Sequence, residues 1–375
     1  AVLPRPNNHP LLLAGEAAGD YSLSNVGSFR SLEGYELVGN EWQLVASHEP
    51  ILGSITGLMT ADFSTRPYPQ IAVGESTGIV QVLNQFMEVT NGLTWVDGSH
   101  LGAFVGGGSL RAAPLVASDA QGPFVLLAGT ALGTVVADAS FASWIIPPIP
   151  RWWNPNLSSS AILELSNGTR VVGVEDGTKL VSIDSQSGAA SAPVAMPSGF
   201  AWGAPVALKN GAQTLVGVDW RNFGGEIRQT AVDFQAGATT FVGAPILTGG
   251  FFGSSVGDLN SDGVDEWYSM TFASLWQRSA ETGQATAIAS LPEMNYSLPM
   301  VTENPSGDRR LLLQAGYDGP ALVSGNGAVA WQADLNKPVN GMAGVVLSCG
   351  SSQRYVTPAV LSSTLTFYDV SSGAM

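Results

Sequence analysis

Only one cysteine, Cys349, occurs in the chain, so no internal disulfide can form and no cysteine-rich metal site can assemble. That count leaves the redox compartment open, because a core of this size needs no covalent staples. Lysine is almost as scarce. Lys179, Lys209 and Lys337 are the whole set, within 15 Lys+Arg against 30 Asp+Glu and a net charge of −15. An acidic surface of this kind repels phosphate backbones, which sets nucleic acid aside as a partner. No apolar run approaches the ~18 residues of a membrane helix, so no membrane span is expected. Sustained 3.6-residue periodicity is also missing, and helices should be scarce. The opening Ala1-Val2-Leu3-Pro4-Arg5-Pro6 has no charged-then-apolar signal pattern; it suits a mature end left by a signal peptidase, or simply a boundary.

Catalytic signatures are thin as well. No Gly-x-Ser-x-Gly elbow stands out, and Gly106-Gly107-Gly108 follows an apolar run without opening a helix, so neither a phosphate loop nor a dinucleotide fingerprint is present. Cys349 ends an apolar strand, where packing is the ordinary role. The three histidines, His9, His48 and His100, all fall in the first hundred residues. They read as solvated or satisfied loop residues, although His48 and His100 lie one repeat apart, and convergence on one face would permit acid–base or metal chemistry.

What is abundant is turn material between short apolar runs: 45 Gly and 22 Pro, with 45% hydrophobic and 12% charged residues. This suits a compact all-β chain and argues against disorder. A pattern recurs in which an apolar strand, a polar turn and a Val/Gly-rich strand precede a third strand that ends in an Asp/Ser-x-x-Gly turn. First strands begin near residues 57, 112, 158, 204, 254, 298 and 342, a spacing of roughly 44–55 residues that matches four-stranded propeller blades. Ile71-Ala72-Val73-Gly74, Val171-Val172-Gly173-Val174 and Leu215-Val216-Gly217-Val218 are near-copies as second strands. Residues 1–50 hold three strand-like runs without an obvious first strand, an incomplete blade. The expected fold is a single-domain β-propeller of eight blades, or seven if that region is left out, with the ring closed by strands from both termini.

One stretch carries a specific chemical pattern: Asp258-Leu259-Asn260-Ser261-Asp262-Gly263-Val264-Asp265-Glu266. Side-chain oxygens at loop positions one, three, five and nine (Asp258, Asn260, Asp262, Glu266) and the Val264 carbonyl at seven form the alternation that Ca²⁺ requires. Gly263 takes the sharp turn at position six. Position twelve is Ser269, so the bidentate Glu of an EF-hand is missing, and Trp267-Tyr268-Ser269-Met270 reads as a strand. A surface turn would also favour Asn, Asp and Gly. However, the equivalent turns at Asp119, Asn167, Asn210 and Asn304 do without the one-three-five-nine oxygens, so turn formation alone does not call for them. A structural Ca²⁺ site is expected.

This loop, placed between the first and second strands of a blade, resembles the calcium loops of FG-GAP/VCBS-type, integrin-α-like β-propellers. The run from Asp258 to Gly283, with Tyr268 and Leu275-Trp276, also resembles the C-terminal propeller of PilY1-type pilus adhesins. The Ser-Gly and Thr-Gly turns after third strands look like PQQ-type repeats. The specific match covers about one blade; the generic rhythm covers nearly all of the chain.

A second candidate is Pro147-Pro148-Ile149-Pro150-Arg151-Trp152-Trp153-Asn154-Pro155-Asn156. Arg151, Trp152 and Trp153 in a connection between blades would serve as ligand anchors for a glycan or peptide; the same tryptophans would equally cap a hydrophobic seam. Taken together, the features point to a non-enzymatic, exported or periplasmic or cell-surface propeller engaged in adhesion or in binding a protein or glycan. The resemblance to PilY1 implies adhesion. The alternative is a calcium-dependent polysaccharide lyase on an eight-bladed propeller. It needs a basic cleft, and three lysines and few clustered arginines make one hard to assemble.

Overall fold

In the computed structural model the described residues are 2–3, 5, 11–17, 29–38, 41–49, 55–61, 69–75, 79–94, 115–129, 133–138, 151–196, 200–201, 205–221, 226–243, 254–271, 274–290, 299–303, 307–313, 320–333, 345–349, 352–358 and 365–375. Every regular element among them is a strand, and all strand pairing is antiparallel. His9, His100, the 147–150 prolines and the expected starts at 112, 204, 298 and 342 lie outside the described residues.

The chain divides into two compact units, one of residues 1–162, 169–176 and 183–190, the other of 163–168, 177–182 and 191–375. The first unit opens with an eight-stranded sheet built of two consecutive meanders. In the first meander Val2–Leu3, Leu11–Ala17, Phe29–Val38 and Glu41–His48 pair in sequence order. The N-terminal region therefore has its own first strand, pairing Val2 with Leu12 and Leu3 with Leu11; a strand of two residues is too short to leave a period in the sequence. The second meander runs through Ile55–Ala61, Gln70–Glu75, Ile79–Leu83 and Val89–Thr94, joined to the first by the pairing of Phe29 with Ile55. Leu3, Leu11, Leu32, Ile71 and Leu83 form one buried cluster across both.

The second sheet orders Leu115–Asp119, Gly122–Gly129, Gly133–Asp138 and Trp152–Asn154 side by side. Residues 152–154 thus form an outer strand, rather than the simple connection expected from the three prolines before them. Their register is Thr134 to Asn154, Val135 to Trp153 and Val136 to Trp152. The third sheet, of Leu157–Leu165, Gly168–Glu175, Lys179–Asp184 and Val194–Ala195, contributes residues to both units.

The second unit holds the remaining sheets. The fourth comprises Phe200–Ala201, Val206–Asn210, Gln213–Arg221, Ile227–Asp233 and Ala238–Val242. The fifth, of Ser254–Gly257, Glu266–Thr271, Ser274–Ser279 and Ala285–Ser290, and the sixth, of Pro299–Glu303, Arg309–Leu313, Ala321–Ser324 and Val329–Gln332, are both four-stranded meanders. The seventh has Val345–Cys349, Ser352–Pro358 and Leu365–Asp369. Second strands carry the Val/Leu runs because they are covered on both faces, whereas outer strands alternate toward solvent: Leu311, Leu312 and Leu313 are all buried while Val329 is exposed. Leu208, Leu215 and Ala231 of the fourth sheet pack with Trp267 and Ala280 of the fifth. Tyr268, Met270 and Leu275 of the fifth pack with Leu311, Leu313 and Val323 of the sixth.

Candidate functional site

The 258–266 loop joins the first two strands of the fifth sheet and leads straight into the strand Glu266–Thr271. Gly263 has φ +86° with nothing near its absent Cβ; the backbone conformation, not space, is what asks for glycine there. Ser261, at φ +60°, takes the same left-handed region next to it. Inside the turn the acidic side chains accept from backbone amides. Asp258 Oδ1 takes the Asp262 N–H at 3.1 Å and its Oδ2 the Gly263 N–H at 3.0 Å, while Asp262 Oδ1 takes the Val264 N–H at 2.8 Å. Asn260 accepts from the Asp262 N–H and donates to Asp262 Oδ2.

The loop is also held from both sides. Its second half forms an isolated bridge, Asn210 to Val264, with the first hairpin of the fourth sheet. Gly211 N–H donates to Gly263 O at 3.2 Å, Asp265 N–H to Lys209 O at 2.8 Å, and Lys209 N–H to Asp265 Oδ2 at 2.7 Å. From the sixth sheet Arg309 donates to the Asp258 carbonyl at 2.8 Å and lies 3.6 Å from its carboxylate, while also pairing with Glu303. Leu259 is buried among residues of the fifth and sixth sheets. One loop therefore engages three consecutive sheets.

Glu266 is buried, and its Oε2 accepts from Leu259 N–H at 3.1 Å and Tyr268 O–H at 3.0 Å. Burial raises its pKa, those two hydrogen bonds oppose the rise, and repulsion from Asp262 and Asp258 adds to it. The Tyr268 hydroxyl is pushed up by the same burial and by the Glu266 charge. The Glu266 charge is thus opposed by those of Asp262 and Asp258. The donor set of Asp258, Asn260, Asp262, the Val264 carbonyl and Glu266 fits a hard cation in kind and in order. Among the described residues no three His, Cys, Asp or Glu side chains converge into a metal cage; here the loop's oxygens are turned onto its own amides.

Arg151, Trp152 and Trp153 divide between interior and surface. The Arg151 side chain is 4% exposed; it donates to Asp119 Oδ2 at 2.7 Å, pairs with Asp138, and lies 5.1 Å from the Phe124 ring centroid. Asp119 also accepts from Ser185 Oγ at 2.8 Å and from the Gln121 N–H at 2.9 Å. The Trp152 indole N–H donates to the Ser185 carbonyl at 3.1 Å, and its ring lies where a Cβ on Gly188 would stand. Only Trp153, 44% exposed, presents a large apolar surface to solvent. Arg151 and Trp152 are held in the junction between the second and third sheets. His48 is half-buried at the end of its strand.

Sequence reasoning missed two features. One is a repeated junction: Trp331 donates to the Val370 carbonyl at 2.8 Å and packs on Gly373, as Trp152 does with Ser185 and Gly188. In both, the carbonyl belongs to the residue after an Asp whose Oδ1 accepts from the amides two and three positions on, Asp184 and Asp369. The other is a buried polar chain joining the fourth and fifth sheets. Trp267 N–H donates to Ser254 Oγ at 2.6 Å, Ser254 donates to Asp219, and Arg278 Nε donates to Gln229 Oε1 at 2.7 Å. Gln229 donates in turn to Ser269 Oγ at 2.6 Å. A carboxylate inside Val216-Gly217-Val218-Asp219-Trp220 was the available signal, since an acid in an apolar run needs a buried partner or carries a cost.

No family model matches the chain, and no curated protein matches it. Solved structures do. BamB from Moraxella catarrhalis superposes with TM-score 0.58 at 12% identity, covering 95% of this chain and 92% of its own. The C-terminal WD40 domain of Sif2 gives 0.57 at 10% identity over 94% and 90%. A europium-containing methanol dehydrogenase gives 0.56 at 11% identity over 96% and 84%. These neighbours are β-propellers, and at such identities the likeness shows the fold alone: the chain has a β-propeller fold.

Proposed function

We propose that the chain is an eight-bladed β-propeller acting as a non-enzymatic binding module, exported or at the cell surface, with a structural Ca²⁺ in the 258–266 loop and a protein or glycan as partner. The two N-terminal meanders and the six further sheets make eight consecutive strand sets, which supports that blade number. The observation that carries the reading is the position of the loop between neighbouring sheets. Its backbone and its acids bond the fourth sheet's hairpin on one side and Arg309 on the other, so its oxygens serve cohesion rather than a substrate. Asp258, Asn260, Asp262, Glu266 and the Val264 carbonyl would hold the ion. Bound Ca²⁺ would offset the repulsion that Asp258 and Asp262 exert on Glu266. Extracellular calcium is abundant enough to fill a weak loop of this kind.

Fold does not fix function, and one neighbour is a methanol dehydrogenase. Two measurements separate the readings. A thermal melt with and without a chelator, beside calcium titration calorimetry, should show bound Ca²⁺ and a lower melting temperature when it is removed; an unchanged melt with no heat of binding overturns the clamp. Protein and glycan arrays probed with and without Ca²⁺ should return a ligand without turnover. Cleavage of a uronate-containing polysaccharide would overturn the binding module in favour of a lyase.

A further inference from the structure

Asp219 is a buried acid of the second unit with little direct compensation for its charge. It is 7% exposed, on the second strand of the fourth sheet, opposite Gln229 in register. One carboxylate oxygen accepts from Ser254 of the fifth sheet, while the other is buried with no hydrogen-bond partner. Among the described residues no cation forms an ion pair with it directly. Arg278, 1% exposed, is the charged group acting on it from the facing sheet, yet its guanidinium bonds Gln229 Oε1 and the Gly283 carbonyl instead. The groups linked to it by hydrogen bonds from the fifth sheet, Ser254 directly and Trp267 through Ser254, are neutral. Arg278 packs so closely against Gly243 that a Cβ there would meet its Nη1, and its bonds to Gln229 and Gly283 hold it in that place.

We propose that Asp219 is a proton-linked latch on the seam between the fourth and fifth sheets, holding them together as a neutral carboxyl and loosening them as an anion. A charge buried without a direct counter-ion is unfavourable, and the neutral form removes it while keeping the Ser254 bond. Burial accordingly pushes the Asp219 carboxyl up to about 6, against the opposing pull of Ser254, Gln229 and Arg278. The seam should be tightest below about pH 4 and weaken as pH rises through about 6.

The test compares the whole chain with its Asp219→Asn variant at pH 5 and pH 7.5, by denaturant unfolding and by hydrogen exchange in strands Gln213–Arg221 and Ser254–Gly257. At pH 7.5 the variant should unfold on the order of 100-fold less readily than wild type, and seam amides should exchange more slowly. At pH 5 the gap should shrink by about tenfold or more. An equal or lower stability of the variant at pH 7.5, or a gap independent of pH, overturns the latch. If Asp219→Asn does not fold, Ser254→Ala decides: its cost should be larger at pH 7.5 than at pH 5, and an equal cost at both overturns the proposal.

Discussion

Asp119 and Asp219 occupy comparable places, each a carboxylate sunk into the junction of two successive sheets, yet they are treated in opposite ways. Asp119 receives the Arg151 guanidinium at 2.7 Å, the Ser185 hydroxyl at 2.8 Å and an amide of its own turn. Asp219 receives one hydroxyl and keeps a buried oxygen without a partner. Both junctions have an arginine within reach. In the first the arginine meets the acid; in the second Gln229 intervenes. A carboxylate buried with its counter-ion fixes the geometry of the junction, while one buried without it makes the junction answer to protons.

The comparison breaks most severely at Arg151. Arg151→Ala strips the counter-ion from a buried acid and should cost ~3–5 kcal/mol in denaturant unfolding; a loss under ~1 kcal/mol would put Asp119 in the same class as Asp219. Next in size is Asp219→Asn, which should gain ~2–3 kcal/mol at pH 7.5. The sign follows from a native pKa raised from 3.8 to about 6: stability from this group is complete below the unfolded value and is lost as pH rises through the native one. Asp184 and Asp369 run the other way, lowered chiefly by the Ser187 amide and by the Ser371 hydroxyl respectively. Their contribution is present above the ordinary aspartate range and fades as the solution is acidified.

Smaller effects sharpen the same contrast. Trp331→Phe and Trp152→Phe each delete an indole N–H donor to a turn carbonyl and should cost ~1–2 kcal/mol apiece, read as a drop in melting temperature. Unequal losses would show that the two junctions are alike in drawing only. Last, Trp153→Ala should change stability by less than ~1 kcal/mol, and a large loss would mean that the outer strand Trp152–Asn154 depends on its exposed ring.

Much of this was legible in the chain. Apolar runs such as Val171–Val174 and Leu215–Val218 announce strands because they are buried on both faces. The 258–266 loop was visible for a different reason, since oxygen donors at fixed spacing are a local pattern. Its three-sheet engagement was not, because Lys209 and Arg309 lie about fifty residues to either side. Arg151 and Trp152 read as a loop because prolines precede them, although their partners Asp119 and Ser185 are thirty-odd residues away. Junction chemistry of this sort depends on which repeats become neighbours, and no local window carries that.

The tryptophan junctions also bear on how the molecule can be cut. Each hands an N–H from the outer strand of one sheet to a turn of the next. A lone excised sheet would therefore carry either an indole with no acceptor or a carbonyl with no donor, beside a glycine facing an empty ring site. A piece ending after Gln332 would keep Trp331 but lose its Val370 acceptor, and should melt at a lower temperature than one running to Met375.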